Sequence, residues 1–268
     1  MDRYVISLMR TPERLQAFQD ANRHVGEFTH FRAVDGRNVD RKRLVEAGVI
    51  NDNLIFSPGF LGCALSHLAV WQQIYEGGRP ALICEDDTLL CRNFELLTSR
   101  FVASLSPDWD VIYWTWNFDS ILCAGMSGTP LTFVANFDQQ EMRRHLNACL
   151  VAPLQPTPLR LFHAFGTSCY SVSPIGAGKL LAAIVPMCDG NVYIPGLNKW
   201  VRNYSFDVAL NGVLGKMNAC VAWPPLALTP NEIAASTTAT IANSAAPAPG
   251  LEKPPEGDAS LSPQNIAA

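Results

Sequence analysis

Apolar and polar positions along this chain switch repeatedly between a period of two or a short continuous run and a period near 3.6. Tyr4–Leu8 is a compact apolar run of strand type. Pro12 then opens a polar stretch with helical character to about His24, the proline standing where a first-turn N–H needs no partner. Phe28–Val34 predicts a second strand, and Asp40–Ala47 a short helix stopped by Gly48. Leu61, Leu65, Leu68, Trp71 or Gln72, and Ile74 or Tyr75 recur at spacings of three and four. They predict a helix between a Pro58-Gly59 loop and a Gly77-Gly78 stop. The apolar residues 81–84 follow Pro80 in a run too short for a helix and predict a buried strand. Further on, Asn93–Leu105 reads as a helix, Asp110–Trp116 and Gly166–Val172 as strands, and Pro174–Val185 as a helix. Such alternation is the mark of an α/β fold.

Two stretches resist this reading. Residues 117–164 are broken by glycines and by Pro130, Pro153, Pro156 and Pro158, and predict loops and an insertion. From about Ala234 the chain becomes rich in Ala, Ser, Thr and Pro and holds too little apolar bulk to offset the entropy of ordering. The expected division is therefore a folded unit over 1–233 and a disordered tail over 234–268.

The buried run at 81–84 ends in three consecutive carboxylates, Glu85-Asp86-Asp87. Alternation along a strand would send Glu85 and Asp87 to one side and Asp86 to the other. Like charges at a strand end repel unless a cation or hydrogen-bond donors offset them, and ligands of open α/β sheets bind beyond the carboxyl ends of the strands. A hard divalent ion holding phosphate oxygens suits such a place; a solvated acidic turn is the plain alternative. Ser66 and His67 are the polar side chains in the first half of the preceding helix.

Composition narrows the classes. The 268 residues are 48% hydrophobic, enough for a sizeable core, and a net charge of −4 supplies no basic block for nucleic-acid binding. Eight cysteines occur without a Cys-x-x-Cys pair, several inside apolar runs, which reads as reduced core thiols. The first apolar run is too short for a signal peptide and no later run reaches membrane-spanning length, so a cytoplasmic protein is expected. Gly176-Ala177-Gly178-Lys179 has neither the glycine at 173 nor the Ser or Thr at 180 that a phosphate loop needs, which favours capping or close packing. Asn203-Tyr204-Ser205 fits a glycan acceptor sequon, relevant only to a secreted eukaryotic chain.

The stretch from Gly59 to Asp87 resembles glycosyltransferase family 25, the bacterial lipooligosaccharide galactosyltransferases and their collagen-modifying relatives. That family's pattern is a Gly-x-x-Gly-Cys-x-x-Ser-His helix, an apolar strand and Glu-Asp-Asp. Three further segments match in order: Tyr4–Arg14 with its Arg-x-x-x-Arg turn, Phe31–Gly36, and Phe165–Ala177 with its Gly-Thr-x-x-Tyr strand. The resemblance runs from about residue 3 to residue 237. Two departures are Ser7, where the family usually has Asn, and Trp114-Thr115-Trp116 in place of a small Leu-Gly ending. Both are expected near the donor cleft.

The resemblance implies an α/β fold of the GT-A type, Rossmann-like, in two or three layers about a mixed central sheet. It implies inverting transfer of a sugar, galactose by the nearest likeness, from a UDP-sugar to a saccharide acceptor of lipopolysaccharide or another cell-surface glycan. Mn²⁺ or Mg²⁺ would be held by Asp87 with Glu85, and Glu85 and Asp86 would contact the nucleotide. Arg10 and Arg14 would meet uracil, ribose or diphosphate, with Ser7 and Ser66 in the same nucleotide site. Asp207 would be the general base, with a helix N-terminal cap as its ordinary alternative. His67 would act in catalysis or orient the donor, and residues 117–164 would carry acceptor-binding loops. A lipid-linked acceptor would draw the protein to the inner face of the membrane. A metal-dependent nucleotide-sugar hydrolase and a non-catalytic sugar-nucleotide binder are the rival readings.

Overall fold

A computed structural model describes residues 1–126 and 128–230; the tail expected over 234–268 lies outside the described residues. In chain order the elements are β1 (Asp2–Ser7), α1 (Pro12–Ala21), β2 (Thr29–Arg32), α2 (Arg41–Glu46), α3 (Pro58–Gly77), β3 (Ala81–Glu85), β4 (Leu89–Leu90) and α4 (Phe94–Ser104). Next come β5 (Val111–Tyr113), β6 (Ile121–Met126), β7 (Thr132–Asn136), α5 (Gln139–Arg144), α6 (Leu146–Val151), β8 (Thr157–Ala164), β9 (Cys169–Val172) and α7 (Pro174–Ile184). The chain continues through β10 (Asn191–Ile194), β11 (Lys199–Arg202), α8 (Phe206–Asn211), β12 (Ala219–Trp223) and β13 (Ala227–Leu228).

Nine strands form one mixed sheet in the order β2-β1-β3-β9-β5-β12-β8-β6-β7; β4 with β13 and β10 with β11 make two small ribbons. β1 is parallel to both β2 and β3, so the chain leaves β1 toward one side and later returns on the other. That reversal is the topological switch point at which α/β sheets open a crevice. β9 runs antiparallel between β3 and β5, pairing Cys84 with Cys169, so the start of β9 lies beside the carboxyl end of β3.

Strand alternation sorts the core into two faces, giving a three-layer Rossmann-like fold. Tyr4, Ile6, Ala81, Ile83, Tyr113 and Tyr170 pack against α3, α7 and α8. Val5, Leu82, Cys84, Ile112 and Cys169 face Phe18 of α1 and Phe94 and Phe101 of α4. All eight cysteines are free thiols. No helix of the described residues is long and apolar enough to cross a membrane.

Several expectations are corrected. α3 begins at Pro58, one residue after the Ser57 cap whose hydroxyl accepts the Phe60 N–H, so Gly59 lies inside the helix. The segment 117–164, expected as loops, supplies β6, β7 and β8, which extend the sheet by three antiparallel strands, and two short helices. Its prolines sit at turns and at the start of β8, where a missing N–H is tolerated. The strand expected over 110–116 is paired only across Val111–Tyr113. Trp114 is a core residue, its indole N–H on Ser171 and its ring edge-on to Phe94 and Phe101, while buried Trp116 stacks on Trp223. Trp114 thus packs between sheet and helix, Trp116 joins an aromatic cluster with Phe118, Phe137 and Trp223, and neither lines the cleft.

The phosphate-loop lookalike has a packing role. A Cβ on Gly176 would meet the Asp110 carbonyl oxygen at 2.2 Å. Lys179 places its ammonium 2.7 and 2.8 Å from the two carboxylate oxygens of fully buried Asp110. In the sequon, Asn203 is buried and spends its amide on the Cys188 carbonyl at 2.9 Å.

Candidate active site

Three segments converge where β1 and β3 end. β1 delivers Ser7, β3 delivers Glu85, and the register that sets Ile6 beside Glu85 brings Ser7 next to Asp86. α3 crosses behind them, held close by glycines. A Cβ on Gly62 would meet the Val34 carbonyl oxygen at 2.5 Å, and one on Gly36 the Pro58 carbonyl oxygen at 1.7 Å. Only bare backbone lets the loop after β2 lie on the first turns of the helix, which is the physical reason for the second glycine of Gly-x-x-Gly and for Gly36 opposite it. Ser66 completes that joint: its hydroxyl donates to the Gly62 carbonyl at 2.6 Å and accepts the Val34 N–H at 2.8 Å.

The resulting cleft is lined by Ser7, Arg10, Arg14, Ser66, His67, Glu85 and Asp86 among the residues expected from sequence. Asp35, Arg37 and Cys63 line it as well and were not singled out by sequence. Asp87 and Asp207 are not among its lining residues.

The three carboxylates have three different environments. Glu85 keeps the parity of Ala81 and Ile83 and so faces α3. Its Oε1 accepts from the Thr167 hydroxyl at 2.5 Å and lies 3.3 Å from His67 Nε2. Burial opposes its ionisation, yet the His67 and Thr167 bonds and the Arg14 charge hold its carboxyl below the usual range. Asp86 accepts from Arg14 Nε at 2.8 Å and from the Ser7 hydroxyl at 2.7 Å, with a second Arg14 bond to the same oxygen. Arg14 is correspondingly raised: burial works against its charge, and the Asp86 bond with the neighbouring carboxylates outweighs it.

Asp87 lies past the end of β3, so strand alternation no longer fixes its direction. Its side chain is 37% exposed, but its Oδ1 is buried with no hydrogen-bond partner. Burial and then the charge of Glu85 push its carboxyl up to about 7. The turn is strapped from below by buried Asn22, whose amide donates to the Thr88 carbonyl at 2.9 Å and whose oxygen accepts the Leu90 N–H at 2.8 Å. Sequence reasoning missed Asn22, since a single Asn after a helix carries no distinguishing pattern.

A divalent cation fits this arrangement on the evidence of one atom: an orphaned carboxylate oxygen beside a second carboxylate, in a hard oxygen-donor setting. Asp86 is already occupied by Arg14 and Ser7. A second, softer group of donors brings Cys63, His67 and Glu85 ligand atoms within 4.8 Å of one another. There both His67 nitrogens are engaged, Nδ1 lying 2.7 Å from the Tyr170 hydroxyl.

At the mouth, Arg10 pairs with Asp35 at 3.1 Å. Asp35 is held down to about 2, chiefly by its hydrogen bond from Arg37. Asp207 reaches the site through α8, because Phe206 stacks on His67 at 5.4 Å and lies tilted against Trp71 at 5.3 Å. Its position differs from an N-terminal cap: Ser205 is the cap residue and Asp207 sits within the first turn. Its Oδ2 accepts the Gly166 N–H at 3.2 Å, and its Oδ1 accepts the Val208 N–H at 2.9 Å and the Ser205 hydroxyl. Gly166 has φ +88, so glycine is demanded there by backbone as well as by Asn117, which a Cβ would strike at 2.3 Å. The charges of Glu85, Asp207 and Asp87 add to burial in pushing the Cys63 thiol up.

The family model described as glycosyltransferase family 25 (LPS biosynthesis protein) matches residues 1–192. The chain belongs to glycosyltransferase family 25. It is 28% identical over 160 residues to a glycosyltransferase 25 family member of Drosophila pseudoobscura pseudoobscura, covering 49% of this chain and 25% of the relative. The Drosophila melanogaster protein of the same name is 29% identical over 160 residues, with 49% and 25% covered. That of Aedes aegypti is 30% identical over 131 residues, with 41% and 20% covered. The chain thus spans about a quarter of these curated relatives' length. Family 25 is, by its description, a family of glycosyltransferases. The matched range holds the whole cleft and ends before Asp207.

Proposed function

We propose that this glycosyltransferase moves a hexose, galactose in the first instance, from a UDP-sugar to a saccharide acceptor with inversion at the anomeric carbon. Its product would belong to lipopolysaccharide or another cell-surface glycan, built on the cytoplasmic side of the membrane from a lipid-linked acceptor. The observation that carries the reading is the division of labour among the three consecutive carboxylates: two held by donors, and one with an orphaned buried oxygen just past the end of β3. Asp87, with Glu85, would hold Mn²⁺ or Mg²⁺, which when bound supplies Lewis-acid stabilisation of a diphosphate leaving group.

The chain's own residues do the rest. Arg10 and Arg14 offer fixed positive charge to the diphosphate and nucleotide, Arg14 already aimed by Asp86. Ser7 keeps Asp86 in place at the crevice floor, and Ser66 keeps the wall beside it. The acceptor hydroxyl must lose its proton as it attacks, and Asp207 is the half-buried carboxylate in the first turn of α8 that can take it. Its three hydrogen bonds hold it aimed.

The test is a screen of UDP-sugars with Mn²⁺, with and without saccharide acceptors, read as UDP release and as product anomer. Release that depends on an acceptor and yields the inverted linkage is expected. Equal release without any acceptor would replace transfer by hydrolysis, and binding without release would leave a non-catalytic binder.

A further inference from the structure

A buried chain of hydrogen bonds runs behind the cleft. Trp71, Tyr170 and His67 are each at most 1% exposed. Trp71 Nε1 lies 2.9 Å from the Tyr170 hydroxyl, that hydroxyl 2.7 Å from His67 Nδ1, and His67 Nε2 3.3 Å from Glu85 Oε1. Donors and acceptors can be counted along it. An indole N–H only donates, and an ionised carboxylate only accepts. If His67 Nδ1 carried a proton, Tyr170 would accept two bonds and its own hydroxyl proton would have no partner in a dry place. With that proton on Nδ1 alone, Nε2 would also set its lone pair against a carboxylate oxygen. One arrangement satisfies every atom: Trp71 donates to Tyr170, Tyr170 donates to His67 Nδ1, and His67 Nε2–H donates to Glu85.

We propose that Tyr170 and Trp71 are positioning residues that fix His67 as an Nε2–H donor, so that His67 works by holding Glu85 instead of exchanging a proton with substrate. With Thr167 also on Oε1, the second oxygen of Glu85 takes neither bond and is the one presented to the cleft. Phe206 lies flat on the imidazole and prevents it from turning away. The inference rests on the transferase reading for its kinetic arm alone.

Two measurements test it. The first is the nitrogen-15 spectrum of histidine-labelled protein, with His67 assigned by its loss in His67→Gln or, should that variant not fold, in His67→Ala. The expected result is a neutral ring protonated on Nε2, with Tyr170→Phe giving a mixture of tautomers. A ring protonated on Nδ1, alone or together with Nε2, overturns the proposal. The second compares His67→Gln with His67→Ala, because a glutamine amide can place an N–H near the Nε2 position. Retention of kcat within about tenfold in His67→Gln, against a loss of about 10²-fold or more in His67→Ala, is expected for a positioning donor. Equal loss in the two variants, at equal melting temperature, means that His67 exchanges protons and overturns the proposal. If wild type shows no transfer with any donor, the transferase reading has failed and the spectrum still decides the inference. It also decides should either variant fail to fold.

Discussion

Asp110 and Asp87 are both aspartates at the ends of buried strands, and the molecule treats them in opposite ways. Asp110, at the start of β5, is fully buried and has a donor for each oxygen: the Lys179 ammonium on both and the Asn218 N–H on one. Asp87, at the end of β3, has a buried oxygen with nothing to bond and a carboxyl pushed up to about 7. A buried charge with its partners in place is part of the architecture; one without them leaves the fold less stable and keeps a place for a ligand. The difference lies in the partners, and both aspartates stand at the ends of apolar runs in sequence.

The largest expected effect breaks the pair apart. Asp87→Ala should lower Mn²⁺-dependent turnover by about 10³-fold or more, because a carboxylate organising leaving-group stabilisation is worth several kcal/mol. The fold should hold, and its melting temperature without metal should stay level or rise, since a carboxylate with an orphaned buried oxygen beside like charges is removed, against the loss of only a 3.9 Å ion pair with Arg14. Steady-state kinetics with a thermal melt checks both halves, and unchanged turnover would end the metal assignment.

Asp207→Asn comes next, with turnover expected to fall by roughly 10²–10⁴-fold if Asp207 is the base. Asn would be an easy replacement at a true cap position, but Asp207 uses both oxygens as acceptors, toward Gly166 on one side and Ser205 and Val208 on the other. An amide turns one acceptor into a donor facing an N–H or a hydroxyl, so a loss of about 1–3 kcal/mol of stability is expected as well. Kinetics well below the melting transition, with donor binding measured separately, distinguishes the two. A folded variant with near-normal turnover would remove Asp207 from the chemistry and turn attention to Asp119 and Asp138.

Asp110→Ala should do the reverse of Asp87→Ala. It strips the partner from Lys179 and leaves the Asn218 N–H without its acceptor, at an expected cost of about 3 kcal/mol in denaturant melts. Residual folded protein should keep ordinary donor affinity. A matching loss of nucleotide binding would revive a phosphate role for the Gly176–Lys179 turn.

How much of this was legible in the sequence follows the same line. The strand–helix alternation, the cleft and seven of its lining residues could be read from local periodicity and the ordered motifs, because those residues lie at the ends of elements whose pattern is strong. The antiparallel extension by β6, β7 and β8 could not, since prolines and glycines there mask strands whose pairing is set by distant neighbours. Asp35, Cys63 and Thr167 stand inside the ordered motifs, but their site contacts come from distant segments that motif spacing does not describe, and Asn22 stands in no motif at all. The distinct roles of Glu85, Asp86 and Asp87 likewise arise from partners on β1, α1, α3 and the turn before β9.

The smallest effect is also the most specific, because it is written in pH. The Asp87 carboxyl is raised from its ordinary value to about 7. The folded protein therefore holds a proton that the unfolded chain has already lost between about pH 4 and pH 7. Stability without metal should fall across that window on this account, and Asp87→Asn should flatten the fall. A cation has to displace the same proton, so apparent Mn²⁺ affinity should weaken up to tenfold for each pH unit below about 7 and level off above it. Glu85, held below the usual range by His67 and Thr167, takes up its proton on the acid side of this window and does not cause the slope near pH 7. Mn²⁺ should then raise the melting temperature more at pH 8 than at pH 5.5 in the wild type and by the same small amount at both in Asp87→Asn. A pH-independent Mn²⁺ affinity in the wild type would mean that Asp87 is not the carboxylate the metal uses, and that its orphaned oxygen is only a cost the fold carries.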